Sequence, residues 1–286
     1  MSISKKRIFL VGCPRSGTTL LQSLLAAHPQ IASFPESHFF VHLLAKREPY
    51  QKKFGLASSK AKPRFEQFLD EIGQPKMRRY LPIYALFATQ YANAFIKVLD
   101  VLTQEQNKSV WIEKTPDHVR HIHDIEKLVK EAQFIHIVRN GADVVASLYE
   151  VTHKYPEVWH GAWDIDRCIR RWTESLQFTK KHLHKPNHIL VSYEQLVEEP
   201  KLVLQRLGNF LDLDLDYETL QQQRGAIAKK IVLDNEPWKA SVSEPLANAN
   251  QKKFSQLFDE NQRNYIVERV SNLLLYTDLL ARSAKA

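Results

Sequence analysis

The segment from Arg7 to His28 places the strongest constraint on how this chain can fold. Its first part, Arg7 to Val11, is apolar on both faces, which is typical of a buried parallel strand. The loop Gly12 to Thr19 follows, and leucines then recur at helical spacing as far as His28. A strand, a glycine-containing loop and a helix in this order predict a site where N–H groups at a helix N-terminus bind an anion.

The side chains of this loop narrow the choice of anion. Gly17 permits a close approach of the backbone to a ligand, and Arg15 can make forked, charge-assisted contacts to an oxyanion. The spacing from Gly12 to Gly17 matches the P-loop pattern G-x-x-x-x-G-K-[ST], but Thr18 stands where that pattern has its lysine. Because that lysine reaches the β- and γ-phosphates, its absence argues against ATP or GTP hydrolysis and favours a nucleotide with a shorter 5′ anion. The alternative is an ordinary strand-to-helix turn capped by a hydroxyl group.

Predicted strands alternate with predicted helices along the 286 residues. The strands cover about 7–11, 30–34, 110–112, 133–138 and 188–193, and helices follow at about 18–28, 118–130, 164–184, 200–210, 216–224 and 260–280. This pattern predicts an α/β fold, a single P-loop-like domain over residues 1–286 with a central parallel sheet flanked by helices and helical insertions. The insertions cover about 41–108 and 151–185. Four aromatic residues in the first insertion have helical spacing, which favours core packing over a ligand pocket: Tyr80, Tyr84, Phe87 and Tyr91.

Polar residues follow or end several predicted strands. In parallel sheets ligands bind beyond the carboxyl ends of the strands. The first loop, Glu36, Lys114 and Arg139 are therefore expected at one rim of the sheet. Ser147 lies about two turns into the helix that opens after Arg139.

Three segments together resemble the PAPS-dependent sulfotransferases, where PAPS is 3′-phosphoadenosine 5′-phosphosulfate. Residues 13–21, CPRSGTTLL, resemble that family's 5′-phosphosulfate-binding loop, and residues 138–147, VRNGADVVAS, resemble its 3′-phosphate-binding segment. Residues 190–196, LVSYEQL, are similar to a late strand whose tyrosine borders the cofactor. The resemblance implies PAPS as sulfuryl donor and PAP as product. It implies the cofactor-binding residues Pro14, Arg15, Ser16, Gly17, Thr18, Thr19, Arg139, Ser147 and Tyr193, with Trp238 and Lys239 in a late covering loop.

The resemblance also implies a catalytic style. Cytosolic steroid and phenol enzymes of the family use a histidine base in a K-T-H pattern, but this chain has proline at that point, in residues 114–116. The tyrosylprotein-type enzymes have an arginine in the first loop and a glutamate after the second strand, as Arg15 and Glu36 do here. Glu36 is therefore implied as general base, with Lys114 and Arg15 as cations that stabilise developing charge. That pattern has an arginine two residues after the glutamate, where this chain has His38.

Each of these residues also has a structural interpretation. Glu36 could simply be an acidic residue at a helix N-terminus, where the helix dipole favours a negative charge. Lys114 could pair with Glu113 or Asp117 at the surface. Three histidines, His118, His121 and His123, are expected to be solvated helix residues, although His118 and His38 are also the fallback bases.

Two other functions compete with sulfuryl transfer. One is a P-loop-type nucleotide phosphotransferase, which the missing lysine disfavours. The other is a non-catalytic module that binds a phosphorylated nucleotide, which the joint presence of Glu36 and Lys114 disfavours. The acceptor is expected to be hydroxyl-bearing, and a phenol, lipid, polyketide-like alcohol, sugar or peptide all remain open, as does the oligomeric state.

Charge and composition set the remaining expectations. The net charge of +8 suits an anionic ligand, an acidic acceptor or a polyanion without choosing between them. The chain has only two cysteines, Cys13 and Cys168, and its N-terminal apolar run is too short for a signal peptide. Both features predict a cytoplasmic protein. No membrane span is expected, because no stretch of the sequence reaches the length that a span needs. No metal is expected, because the sequence contains no ligand cluster with metal spacing. No nucleic-acid partner is expected either.

Overall fold

A central parallel sheet organises the molecule. The computed structural model describes residues 6–44, 54–233, 236, 238–239 and 252–271. Five parallel strands form the sheet in the order β2-β3-β1-β4-β5, which confirms the predicted α/β fold. They are β1 Lys6–Gly12, β2 Ile31–Ser33, β3 Val110–Lys114, β4 Ala132–Val138 and β5 His188–Ser192.

Helices connect the strands and continue after β5. The segments Pro75–Tyr80 and Pro116–His121 are 3-10 helices. The α-helices of the described residues are α1 Thr18–Ala26, α2 Phe39–Leu43, α3 Ala61–Glu71, α4 Ala88–Glu105, α5 Ile122–Leu128, α6 Gly141–Lys154, α7 Pro156–Trp159, α8 Ile165–His182, α9 Tyr193–Glu198, α10 Pro200–Leu211, α11 Tyr217–Ile231, α12 Lys252–Leu257 and α13 Glu260–Ser271. None of the described helices combines the length and the apolar character that a bilayer span needs.

Alternate residues of β1 enter separate apolar cores. Phe9 and Val11 join a cluster with residues from α2 to α5, whereas Ile8 and Leu10 join one with α1 and α9 to α11. Because successive side chains of a strand point to opposite faces, both faces of the sheet are covered by helices. A third cluster joins α6, α8 and α13 and contains Trp172 and Ile266.

The predicted helix over 118–130 differs from the observed structure. A 3-10 turn opens the segment at Pro116, and the α-helix begins only at Ile122. His118 is completely buried, so the expectation that it is solvated was wrong, whereas His123 is exposed as expected.

The aromatic stripe of the first insertion does not lie on one helix. Tyr84 is 90% exposed, and α4 begins at Ala88. Pro82 lies between the 3-10 helix and α4, and proline disfavours helical backbone at the residue before it. Of the four residues only Tyr91 is buried in the core. The prediction that all four pack in the core was therefore wrong.

Candidate active site

All five strands deliver side chains to one rim of the sheet. The loop Gly12 to Thr19 follows β1, and the other four strands end at or just before Glu36, Lys114, Arg139 and Tyr193. These residues surround or adjoin a cavity of about 990 Å³. The structure therefore brings together residues that lie far apart in the sequence, at the rim where parallel sheets bind ligands.

The loop after β1 has a backbone shape that needs glycine at one position. Gly17 has φ +91°, and a Cβ atom there would lie 2.3 Å from the Tyr193 ring. Arg15 also has a positive φ, 72°, which is uncommon for a residue with a side chain. The Ser16 N–H donates to the Cys13 carbonyl at 3.2 Å and tightens the turn. Tyr193 thus closes directly over the loop because residue 17 has no side chain.

Arg15 is the hub of the contacts around the loop. Its Nε donates to Ser147 Oγ at 3.1 Å, and its Nη2 donates to the Trp238 carbonyl at 3.4 Å. Arg139 Nη1 donates to the Arg15 carbonyl at 3.3 Å. Burial, with the Arg139 charge beside it, lowers the pKa of Arg15 to about 10, so the guanidinium stays charged at neutral pH. Two guanidinium groups and the Ser147 hydroxyl therefore converge where a phosphate could be bound.

Tyr193 orients the second guanidinium. The Arg139 guanidinium lies over the Tyr193 ring, with Cζ 4.3 Å from the ring centroid, in a cation–π contact. Trp172 Nε1 donates to the Arg139 carbonyl at 3.0 Å. Tyr193 therefore contacts both the loop and Arg139.

Glu36 lies between two lysines. Lys114 Nζ and Lys239 Nζ both donate to Glu36 Oε1, the latter at 2.6 Å. Lys114 also donates to Thr19 Oγ1 of the loop at 3.2 Å, and His38 Nε2 lies 3.4 Å from Glu36 Oε2. The implied base, the implied cation and the phosphate loop thus form one hydrogen-bonded cluster.

Charges in this cluster set its protonation state. Burial opposes ionisation of Glu36, but Lys114 and Lys239 outweigh it and hold the pKa of this carboxyl well below its usual range. Burial lowers the pKa of Lys114 to about 8, although Glu36 partly offsets this. The pKa of Lys239 is raised, because the attraction of Glu36 and Glu236 exceeds the cost of burial.

A second buried carboxylate, Glu113, holds the Glu36 segment in place. Ser37 Oγ and Thr115 Oγ1 donate to Glu113 Oε1 at 2.6 and 2.7 Å. His118 Nδ1 lies 2.7 Å from Glu113 Oε2, and His118 Nε2 accepts from the Phe40 N–H at 3.2 Å. Both ring nitrogens of His118 are thus engaged, and Lys114 pairs with Glu36 rather than with Glu113 or Asp117.

Arg64 is a site residue that the sequence did not indicate. Its guanidinium donates to the Ser37 carbonyl at 2.5 Å and to the Glu36 carbonyl at 3.1 Å, and it pairs with Glu71 at 2.7 Å. Arg64 therefore brings a guanidinium to the segment where His38 replaces the arginine of the tyrosylprotein pattern. A single arginine in an unassigned helix carries no local signal of this position.

The far wall of the cavity comes from the two predicted insertions. Residues of α3 and of α7 to α8 line it, and Arg167 lies over the Trp163 ring at 4.3 Å. The arginines within residues 167–171 of α8 form a basic run in the sequence from which this wall is predictable. The wall is basic and aromatic, and its lining includes Trp159, Trp163, Arg167, Arg170 and Arg171.

Curated relatives share the sequence over most of this chain. It is 24% identical over 232 residues to protein-tyrosine sulfotransferase A of Caenorhabditis elegans, which covers 80% of this chain and 55% of that protein. It is also 24% identical over 222 residues to protein-tyrosine sulfotransferase 1 of Homo sapiens, covering 76% and 54%. The chain therefore spans little more than half the length of these relatives.

Solved structures share the fold. A sulfotransferase domain from the curacin biosynthetic pathway matches with a TM-score of 0.59 at 19% identity, covering 94% of this chain and 99% of that domain. A sulfotransferase domain from the Synechococcus PCC 7002 olefin synthase matches with a TM-score of 0.53 at 22% identity, covering 93% and 94%. The model of the sulfotransferase family matches residues 7–217, and on that match this chain belongs to the sulfotransferase family.

Proposed function

We propose that this protein transfers a sulfuryl group from PAPS to a hydroxyl group of an acceptor. The contact that carries the proposal is the cluster of Glu36, Lys114 and Thr19, in which a carboxylate, an ammonium and a loop hydroxyl meet beside the anion-binding loop. Membership of the sulfotransferase family and the names of the curated relatives support the same reaction.

The loop has the features that a phosphosulfate group requires. Ser16 Oγ is buried and has no hydrogen-bond partner among the described residues, so it is available to an oxyanion. In this proposal residues Pro14 to Thr19 bind the 5′-phosphosulfate. Arg139 and Ser147 bind the 3′-phosphate, next to Arg15.

Two aromatic residues and a lysine complete the proposed nucleotide site. Tyr193 and Trp238 border the nucleoside, and Lys239 covers the reacting end. All three line the cavity, and the Trp238 carbonyl accepts a hydrogen bond from Arg15.

Glu36 acts as general base in the proposed reaction. The acceptor oxygen forms a bond to sulfur, the bond from sulfur to the bridging phosphate oxygen breaks, and the acceptor proton passes to Glu36. Lys114 and Arg15 stabilise negative charge on the sulfuryl and departing phosphate oxygens. A carboxylate with a strongly lowered pKa is a weak base. We therefore propose that Lys114 and Lys239 turn to the donor's oxygens on binding, which raises the pKa of Glu36.

The acceptor is proposed to enter along the far wall of the cavity, which described residues of the insertions 41–108 and 151–185 line. The names of the relatives favour the phenol of tyrosine as the first acceptor to test. Because His38 stands where the tyrosylprotein-type enzymes have an arginine, other hydroxyl compounds must be tested as acceptors as well. The single domain over 1–286 and the cytoplasmic location stay predictions.

Ligand-induced stabilisation tests the nucleotide assignment. We expect PAP to raise the unfolding temperature and ATP or GTP to have little effect, since a ligand at about 100 times its Kd adds about 2.7 kcal/mol of stability. Arg139→Gln should abolish the PAP effect, whereas Arg170→Gln, which alters the far wall, should retain it. Stabilisation by ATP and not by PAP would favour the phosphotransferase alternative instead.

A further inference from the structure

Three side chains with metal-binding atoms meet at the edge of the sheet opposite the candidate active site. Glu126 belongs to α5, His182 ends α8, and His188 begins β5. One ligand atom from each lies within 4.8 Å of the other two. Glu126 Oε1 is 3.1 Å from His188 Nε2, and Glu126 Oε2 is 3.6 Å from His182 Nδ1. These separations are close to those between neighbouring ligands around one small ion.

We propose that Glu126, His182 and His188 bind a divalent transition-metal ion such as Zn²⁺. Two imidazole nitrogens and one carboxylate oxygen are a known donor set for zinc, with a fourth position left to water. The cluster lies at the start of β5, whereas the candidate active site lies beyond its end. The proposed site is therefore separate from the candidate active site.

The surroundings of the cluster suit metal binding. Both histidines are buried, and the neutral imidazole ring is the form that binds metals. Glu126 is partly exposed at a groove that it shares with Lys6 and Asn187. An ion could therefore enter from solvent on the Glu126 side.

A second layer of hydrogen bonds orients one ligand. His188 Nδ1 lies 2.8 Å from His136 Nε2, and His136 Nδ1 lies 3.1 Å from Thr179 Oγ1. With a metal on Nε2, His188 carries its proton on Nδ1, and His136 Nε2 accepts a hydrogen bond from that N–H. Ligating histidines commonly donate their second N–H to a hydrogen-bond acceptor, which fixes the ring orientation, and His136 Nε2 is the acceptor available here.

Lys185 is the competitor for the carboxylate. Its Nζ donates to both Glu126 oxygens, at 2.7 and 2.9 Å, and its side chain is 33% exposed. The ammonium can therefore turn out to solvent when a divalent ion binds. It follows that removal of Lys185 should strengthen metal binding, whereas a nonspecific surface site would not respond in this way.

The sequence shows no metal-binding motif here because these three residues lie too far apart along the chain. Glu126 is 62 residues from His188, and no short motif contains both. The parallel sheet brings them together because α5 and α8 lead into the neighbouring strands β4 and β5.

Cobalt and zinc titrations of the full chain, without a histidine tag and after chelator treatment, test the proposal. We expect one equivalent of Co²⁺ with visible d–d absorption, displaced by Zn²⁺, and bound Zn²⁺ should raise the unfolding temperature. His188→Ala and Glu126→Gln should each weaken binding by more than the roughly 10- to 100-fold that loss of an outer partner costs. His184→Ala, an exposed histidine in the same turn, is the matched control and should bind normally.

Lys185→Ala should bind Co²⁺ more tightly than the wild type. The proposal is overturned if the wild type binds less than one equivalent, or if His184→Ala weakens binding as much as His188→Ala. It is equally overturned if Lys185→Ala weakens binding. Circular dichroism of each variant verifies folding, and Glu126→Gln, which keeps the size of the side chain, supplies the decisive comparison if a histidine variant fails to fold.

Discussion

At the residue scale, the position of Glu36 between Lys114 and Lys239 determines the protonation chemistry of the candidate site. The carboxyl stays ionised because two ammonium groups lower its pKa, and Lys114 is the group nearest to losing its charge. Position after a strand predicted that Glu36 and Lys114 would lie close together. The contact from Lys239, 203 residues from Glu36, could not be predicted in the same way, because Lys239 does not follow a predicted strand.

Lys114 should impose an upper pH limit on the reaction. Its pKa of about 8 in the folded protein lies below the ordinary 10.5, so the ammonium is present below pH 8 and is lost as the pH rises through that value. We expect kcat/KM to fall about tenfold per pH unit above this pKa, since kcat/KM reports groups of the free enzyme. Lys114→Arg, if active, should remain charged and lose this limb. A level profile from about pH 7 to 10 would contradict the role of Lys114.

Gly17→Ala should damage the nucleotide site more than the fold. The new Cβ would contact the Tyr193 ring at 2.3 Å, and the positive φ adds strain of about 1–3 kcal/mol. Gly73→Ala is the matched control, because Gly73 also has a positive φ but no atom within 4 Å of the new Cβ. In PAP titrations and urea unfolding, both variants should lose stability, and only Gly17→Ala should lose PAP affinity. Equal PAP affinity in the two variants would show that the close contact is unimportant.

At the scale of elements, the carboxyl ends of the strands are tied to one another through Glu113. This residue of β3 bonds Ser37, which follows β2, and through His118 it reaches the N–H of Phe40 in α2. The sequence pattern predicted each strand and the rim that they share. It did not predict this network, because a buried glutamate in an apolar strand looks the same in sequence as an exposed one.

Glu113→Gln should lower turnover without a matching loss of PAP affinity. The amide cannot accept from all the present donors, and each orphaned buried group costs about 1–3 kcal/mol. The Glu36 segment should then lose its position, so kcat should fall more than PAP affinity. Phe65→Leu, a change in the adjacent core, is the control that lowers stability but should leave kcat unchanged. If both variants reduce kcat equally, Glu113 has no positioning role.

At the scale of the whole molecule, described segments of the chain beyond the family match pack into the core of the matched part. The match ends at residue 217, yet Ile266 of α13 packs with Trp172 of α8 and with residues of α6. Lys239, which contacts Glu36, also lies beyond the match. The predicted helix over 260–280 is present from Glu260 to Ser271, and its last residues lie outside the described part of the chain. The sequence pattern predicted the helix α13. It did not predict which face of α13 packs against α6, because that depends on tertiary packing.

Ile266→Ala should therefore destabilise the whole protein. Ile266 is fully buried, and truncation of such a side chain costs about 2–5 kcal/mol. Val267 is its neighbour on the same helix and is 43% exposed, so Val267→Ala should stay within about 0.5 kcal/mol of the wild type. Urea unfolding compares the two. Similar free energies of unfolding would mean that α13 is not integral to the core.

The most direct test of sulfuryl transfer is mass detection of the sulfated product. Purified protein is incubated with PAPS and a panel of tyrosine peptides, phenols, sugars and aliphatic alcohols, and the product is compared with that of Glu36→Gln. We expect a PAPS-dependent mass increase of one sulfuryl group, reduced about 10²- to 10⁴-fold in Glu36→Gln while PAP binding is retained. Turnover by Glu36→Gln near the wild-type rate would contradict the role of Glu36, and no transfer to any acceptor class would contradict the proposed activity.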